Sequence, residues 1–277
     1  MRWALPDSCG EVWRWARACC WSAALGVGLA AGSRAAEPDW QVLKGQHFIL
    51  YHHGNEAYAA QVMTRAETCY EEIADDLGFA RRTGFWVWDK RVKVFLYDSR
   101  AEFAAACGAP LWAAGKADYD KREIAGCGAD TASFLNNLLP HELTHLIFRD
   151  YVGPEQQVPN WLEEGIAQWE EQGGRDRARQ TLRGALRGGR WIPLEELTRL
   201  DSRRLADPGQ VALYYAEAAS VVGFLITRHG GERFGLLCAQ LRDGRPLADA
   251  LRKAYPDRLA SLAELEAAWL KAMGGGS

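Results

Sequence analysis

Two histidines four residues apart, with a glutamate directly after the first, form the segment His141-Glu142-Leu143-Thr144-His145 and demand a helix. Residues i and i+4 share a helix face, so both imidazoles can address one point while the Glu142 carboxylate stands beside it. Such a point suits a metal cation. Zinc takes neutral nitrogen and anionic oxygen donors in a tetrahedral array, and a reactive zinc site leaves its fourth position to water. Five residues thus supply two donors and a base, and a third donor must come from elsewhere in the chain.

Eighteen residues separate His145 from Glu164, which stands in Pro159-Asn160-Trp161-Leu162-Glu163-Glu164-Gly165-Ile166-Ala167. Asn160 is a good N-cap residue and Glu163 falls at the third helical position. This capping-box-like pair occupies Glu163 and leaves Glu164 for metal. Glu163 is the rival ligand, and a supporting role behind the metal is also open to it. The full pattern, HExxH, 18 residues, then Trp-Leu-x-Glu-Gly-x-Ala, resembles the gluzincin peptidases, the group that contains thermolysin and the aminopeptidase N family. The resemblance implies a zincin-like fold with one Zn2+ on His141, His145 and Glu164. It also implies Glu142 as general base and hydrolysis of a peptide or protein substrate.

A second stretch, Tyr215-Ala216-Glu217-Ala218-Ala219-Ser220, is similar to the gluzincin helix that begins Tyr-x-x-Gly-Ala. By that likeness Tyr215 is the donor to the oxyanion, with Tyr214 as its near rival and core packing as the plainer use of both. The Gly-x-Met-Glu-Asn element with which aminopeptidases of the group recognise a free amino end is missing, so the likeness is to the broad peptidase-MA-like family. Two other readings stay open: a catalytically silent zinc-binding protein of the cell envelope, and a hydrolase of a non-peptide amide.

Around these motifs the expected architecture is α+β. Strands are expected at Gln46–His52 and Arg91–Tyr97, helices at Asn55–Leu77 and Arg100–Ala106, and a hairpin across 115–128 with Arg122–Cys127 as its second arm. From Thr131 nearly every segment has helical periodicity, beginning with one helix over Thr131–Tyr151 that Pro140 must either start or bend. A sheet-bearing lobe (about 40–151) and a helical lobe (about 152–273) make up one domain over 36–277, with a cleft expected between them. Glu123–Cys127 is expected as the sheet edge, free to align an extended peptide.

Residues 1–35 read as a cleavable signal peptide. Arg2, Arg14 and Arg17 precede an apolar run from Cys19 to Ala31, and small residues flank a cleavage point after Ala35. That run is shorter than the roughly 20 residues a spanning helix needs, and no later segment is read as a span. The expected location is therefore secreted or periplasmic. Cys69, Cys107, Cys127 and Cys238 would remain, with Cys107–Cys127 the first choice for a disulfide among three possible pairings. A net charge of −3 gives no reason to expect nucleic acid or an anionic membrane as partner. Arg175, Arg179, Arg183 and Arg187, with Arg177 and Arg190 nearby, read as a solvated basic face. His47, His52 and His53 read as packing or surface residues.

Overall fold

A computed structural model describes residues 40–79, 90–109, 111, 115–127, 131–256 and 258–274. The expected signal segment lies outside the described residues. The architecture is α+β, with a small mixed sheet in the N-terminal half and a mostly helical C-terminal half. Two compact units divide it. One comprises the described residues within Met1–Thr64 and Trp86–Phe134, the other those within Arg65–Phe85 and Leu135–Ser277.

The first unit carries a five-stranded sheet of β1 (Gln41–Lys44), β2 (Phe48–His52), β3 (Val92–Tyr97), β4 (Gly115–Asp118) and β5 (Glu123–Cys127), in the order β1-β2-β3-β5-β4. β2, β3 and β5 run parallel, and β1 and β4 are antiparallel to their neighbours. The alternation seen in β3 buries Val92, Val94 and Leu96 on one face, the half-buried pattern of a sheet covered on one side. The hairpin forms as expected, and its turn is closed by Arg122 in the left-handed region at φ 56°. The edge assignment was wrong. β5 lies between β3 and β4, so its backbone bonds are taken on both sides, and β1 and β4 are the edges. The expectation fails because a hairpin fixes which two strands pair but not which of them also finds a third.

All four described cysteines are unbridged thiols. Cys107 does pack against the small cluster of Phe103 and Cys127. Instead of a sulfur bridge it makes a side-chain hydrogen bond with Tyr97, and burial holds its thiol above the usual range.

α1 (Glu56–Asp76) leads from the first unit into the second, and α2 (Arg100–Cys107) follows β3, opened by Ser99, whose side chain accepts from the Glu102 amide. In the second unit follow α3 (Leu139–Val152), α4 (Asn160–Glu170), α5 (Gly174–Arg187), α6 (Leu194–Arg199), α7 (Pro208–His229), α8 (Gly231–Arg242), α9 (Leu247–Ala254) and α10 (Leu262–Ala272). α7 is the centre of this unit. By length and composition it could cross a membrane, contrary to the sequence reading, but 72% of its apolar window is buried within the protein. Its apolar character is that of a core helix surrounded by other helices.

The α4–α7 contact is unusually close. A Cβ on Gly165 would stand 2.5 Å from the carbonyl oxygen of Ala218, and one on Gly223 would stand 2.1 Å from the Trp169 ring. Glycine at 165 therefore lets the backbones of the two helices meet, which fixes the rotation of α4 at the neighbouring Glu164.

α7 also buries Glu217, whose two oxygens accept from the Ile192 amide at 2.8 and 3.0 Å. Burial, joined by the charges of Glu266 and Glu196, outweighs that hydrogen bond and lifts the Glu217 carboxyl from 4.5 to about 8. The native state therefore binds this proton more tightly than the unfolded chain. Its stabilising contribution is full below about pH 4.5 and is lost as pH rises through about 8. Glu217→Gln, which keeps an acceptor for Ile192 but cannot ionise, should lose less stability than wild type between pH 5 and pH 9. Urea unfolding at both pH values checks this, and equal slopes for the two proteins would refute it.

Candidate metal centre

Pro140 sets up the helix that carries both histidines. Lacking an amide hydrogen, it cannot bond the carbonyl of Asn136 four residues earlier. The chain answers with a π-helical turn over Phe134–Leu138, and the freed Asn136 carbonyl accepts from the Gln172 amide at 2.7 Å. The expected single helix over Thr131–Tyr151 is thus interrupted just before the site. The same hydrogen bond brings the C-terminal end of α4 against the start of α3.

His141, Glu142 and His145 all lie in α3 and are 3%, 0% and 4% exposed, so the two imidazoles and the carboxylate are withdrawn from bulk water. Their Nε2 atoms face each other at 3.2 Å. Glu164, from α4, brings Oε2 to 3.9 Å from both. Two donors about 2.0–2.1 Å from one ion at the tetrahedral angle lie about 3.3 Å apart, so the imidazoles already stand at ligand spacing. The carboxylate needs only a small inward movement. Among the described residues, these three form the group whose ligand atoms lie within 4.8 Å of one another. His47, His52 and His53 do not join it; His53 instead lies over the Trp40 ring at 3.9 Å. The donor set of two imidazoles and a carboxylate fits zinc.

Each imidazole is held from behind. His141 Nδ1 meets Glu171 Oε1 at 2.9 Å, and that oxygen also accepts from Gln168 Nε2 at 2.6 Å. His145 Nδ1 faces Glu163 Oε1 at 3.4 Å. With Nδ1 engaged by a carboxylate, Nε2 is the nitrogen that faces the metal position. Burial by itself would keep the His141 ring neutral. The hydrogen bond and charge of Glu171, with the charges of Glu142 and Glu164, outweigh it and raise the ring to about 9. Burial would likewise raise the Glu163 carboxyl, but His145 and then Arg149 hold it down at about 2.

Two sequence readings need correction here. Asn160 does not cap α4: Pro159, at φ −57° and ψ 134°, takes the cap position without a side-chain bond. The Asn160 side chain instead accepts from Ser202 N at 3.0 Å and from the Tyr214 hydroxyl at 2.7 Å. Glu163, released from capping, is gripped by Arg149. Among the arginines of α5, Arg175, Arg179, Arg183 and Arg187 are exposed as expected, and Arg177 departs from the solvated face. Arg177 reaches Glu171, and Arg175 bonds Asp76 at 2.7 Å while lying over the Trp169 ring.

Tyr214 and Tyr215 are both buried in α7, and the Tyr214 hydroxyl proton is committed to Asn160. Glu171, Gln168, Arg149 and Arg177 were not singled out as site residues from the sequence. Two of them carried a readable signal: Arg149 continues the His141, His145 row by four residues, and Glu171 lies seven beyond Glu164, two turns along the same face.

Compared with known families, residues 77–272 match the model described as the Peptidase MA superfamily, well over half of the chain, including His141, Glu142, His145 and Glu164. No curated protein matches the chain.

Proposed function

We propose that this chain, which belongs to the Peptidase MA superfamily, is a zinc metallopeptidase of gluzincin type, with His141, His145 and Glu164 as ligands and Glu142 as general base. The observation that carries the reading is the convergence of two Nε2 atoms and the Glu164 carboxylate on one buried point, beside a carboxylate that is itself fully buried.

When bound, zinc would supply Lewis acidity and lower the pKa of a water toward about 7. The remaining work falls to the protein. Glu142 takes the proton from the attacking water and returns it to the departing amine, a role that needs a base but no role in ligation. Glu171 and Glu163 hold the imidazoles in orientation. Tyr215 donates to the oxyanion that develops on the scissile carbonyl. This assignment rests on its place in the motif and on the engagement of Tyr214 elsewhere. Export through the segment 1–35 belongs to the same proposal and rests on its sequence pattern.

Metal analysis and turnover on a broad peptide library test the reading together. One zinc per chain and measurable cleavage are expected, and Tyr215→Phe should lower kcat by about 10²–10³-fold with zinc content unchanged. Zinc without cleavage of any peptide would overturn the peptidase reading and favour a binding protein. Full activity in Tyr215→Phe would remove that residue from the mechanism.

A further inference from the structure

We infer that Arg149 and Arg177 are positioning residues of the metal centre, each clamping the carboxylate that orients one histidine so that the site is held ready for a divalent cation. The inference rests on the zinc reading above and goes one layer beyond it, to residues that touch neither metal nor substrate.

The two clamps are built independently. Arg149 lies one turn beyond His145 on α3, and its Nε donates to Glu163 Oε1 at 2.9 Å while Nη2 takes Oε2. Its remaining nitrogen, Nη1, donates to the Gln156 carbonyl at 3.0 Å, which fixes the guanidinium plane. Arg177 comes from α5. Its Nη2 takes Glu171 Oε2 and its Nη1 donates to the Gln172 carbonyl at 3.2 Å.

For Arg177 to reach back, the chain must reverse tightly between α4 and α5. Gly173 adopts φ +74°, and a Cβ on Gly174 would stand 2.1 Å from the Gln168 carbonyl oxygen. The two glycines are therefore what allows α5 to begin close enough to α4. Both glutamates are nearly enclosed, with side chains 14% and 7% exposed, so water offers little alternative to the guanidinium.

Charge explains why arginines are needed. Glu142, Glu163, Glu164 and Glu171 place four carboxylates around one buried point, and two guanidiniums reduce their formal charge to −2. One divalent cation neutralises that remainder. Without a guanidinium, the orphaned glutamate carries an uncompensated charge, which is costly in a buried setting. Glu163, next in sequence to Glu164, would then be free to turn toward the metal as a competing ligand. At Arg149 the planar fork holds both Glu163 oxygens in register, and at Arg177 it holds one Glu171 oxygen while its other arm is fixed on the Gln172 carbonyl, so each imidazole keeps a fixed acceptor. A lysine ammonium supplies charge without that register.

Zinc affinity of the full chain, read by competition with a chromophoric chelator, tests the inference, with the Co2+ absorption spectrum as a second readout. Arg149→Gln and Arg177→Gln should each weaken zinc binding by about 10–100-fold and shift the cobalt bands. The double variant should lose the product of the two, about 10²–10⁴-fold, because the clamps share no partner. The corresponding lysine variants should recover part of the affinity but not the wild-type spectrum.

Wild-type affinity and spectrum in both glutamine variants would overturn the inference, as would a lower apoprotein Tm with unchanged affinity, which assigns the arginines to stability alone. If a glutamine variant does not fold, its lysine counterpart decides: weakened binding supports the clamp, and wild-type behaviour refutes it. Failure of the wild type to bind zinc at all would sink the metal reading itself and the inference with it.

Discussion

Glu142→Gln should reduce peptide turnover by about 10²–10⁴-fold while the protein still binds one zinc. The amide is nearly the same size as the carboxylate and sits in the same fully buried position, so packing around α3 should be undisturbed. What is lost is the base. An amide oxygen does not accept a proton near neutral pH, and no other side chain in the His141–His145 turn can replace it. Steady-state rates at saturating zinc, with metal analysis of the same preparation, check both halves of the expectation. Retention of more than a tenth of wild-type kcat would mean that another group takes the proton.

The largest effect on metal binding is expected from Glu164→Ala. Its carboxylate is the sole anionic member of the three-donor group, and its loss leaves two imidazoles to hold the ion. Zinc should bind more weakly by at least about 100-fold, beyond the range that changes behind the ligands produce. Glu163 cannot step in, because Arg149 grips both its oxygens. Glu163→Gln should therefore cost less, about 10–100-fold, through its effect on His145. Chelator competition on the two variants gives the ranking directly. If Glu163→Gln proved the more damaging, the ligand assignment would pass from Glu164 to Glu163.

The ranking matters because the two adjacent glutamates look alike in sequence. Resemblance favours the residue before Gly165, and the structure gives a local reason for it. Gly165 lets α4 approach the α7 backbone so closely that the rotation of α4 is fixed, and this turns Glu164 toward His141 and His145. Glu163, one residue and about 100° earlier on the helix, faces Arg149 instead.

Much of the molecule is legible in its sequence. The helical spacing of His141 and His145 required both nitrogens on one side, and they are. Most helices, β2, β3 and the hairpin fall where periodicity put them. The short strand β1 was not found, because its four residues, Gln41–Lys44, are too few to establish a period. The sheet edge and the Cys107–Cys127 bridge were misread because strand order and side-chain partnership depend on third elements. Asn160 and Glu163 matched a capping pattern and do something else. An N-cap preference of about 1 kcal/mol yields when Pro159 already occupies the cap position and a half-buried arginine offers a charge-assisted bond.

The sequence by itself determined the proposed donors, the proposed base and their presentation on helices, because chemistry and helical period are properties of short stretches. Tertiary structure alone decided what stands behind them. Arg177 reaches Glu171 only because two glycines reverse the chain, and Gln172 meets Asn136 only because Pro140 left a carbonyl unclaimed. The Gln172–Asn136 contact joins distant segments and the Glu171–Arg177 contact spans the turn between α4 and α5, so neither geometry exists until the helices have packed.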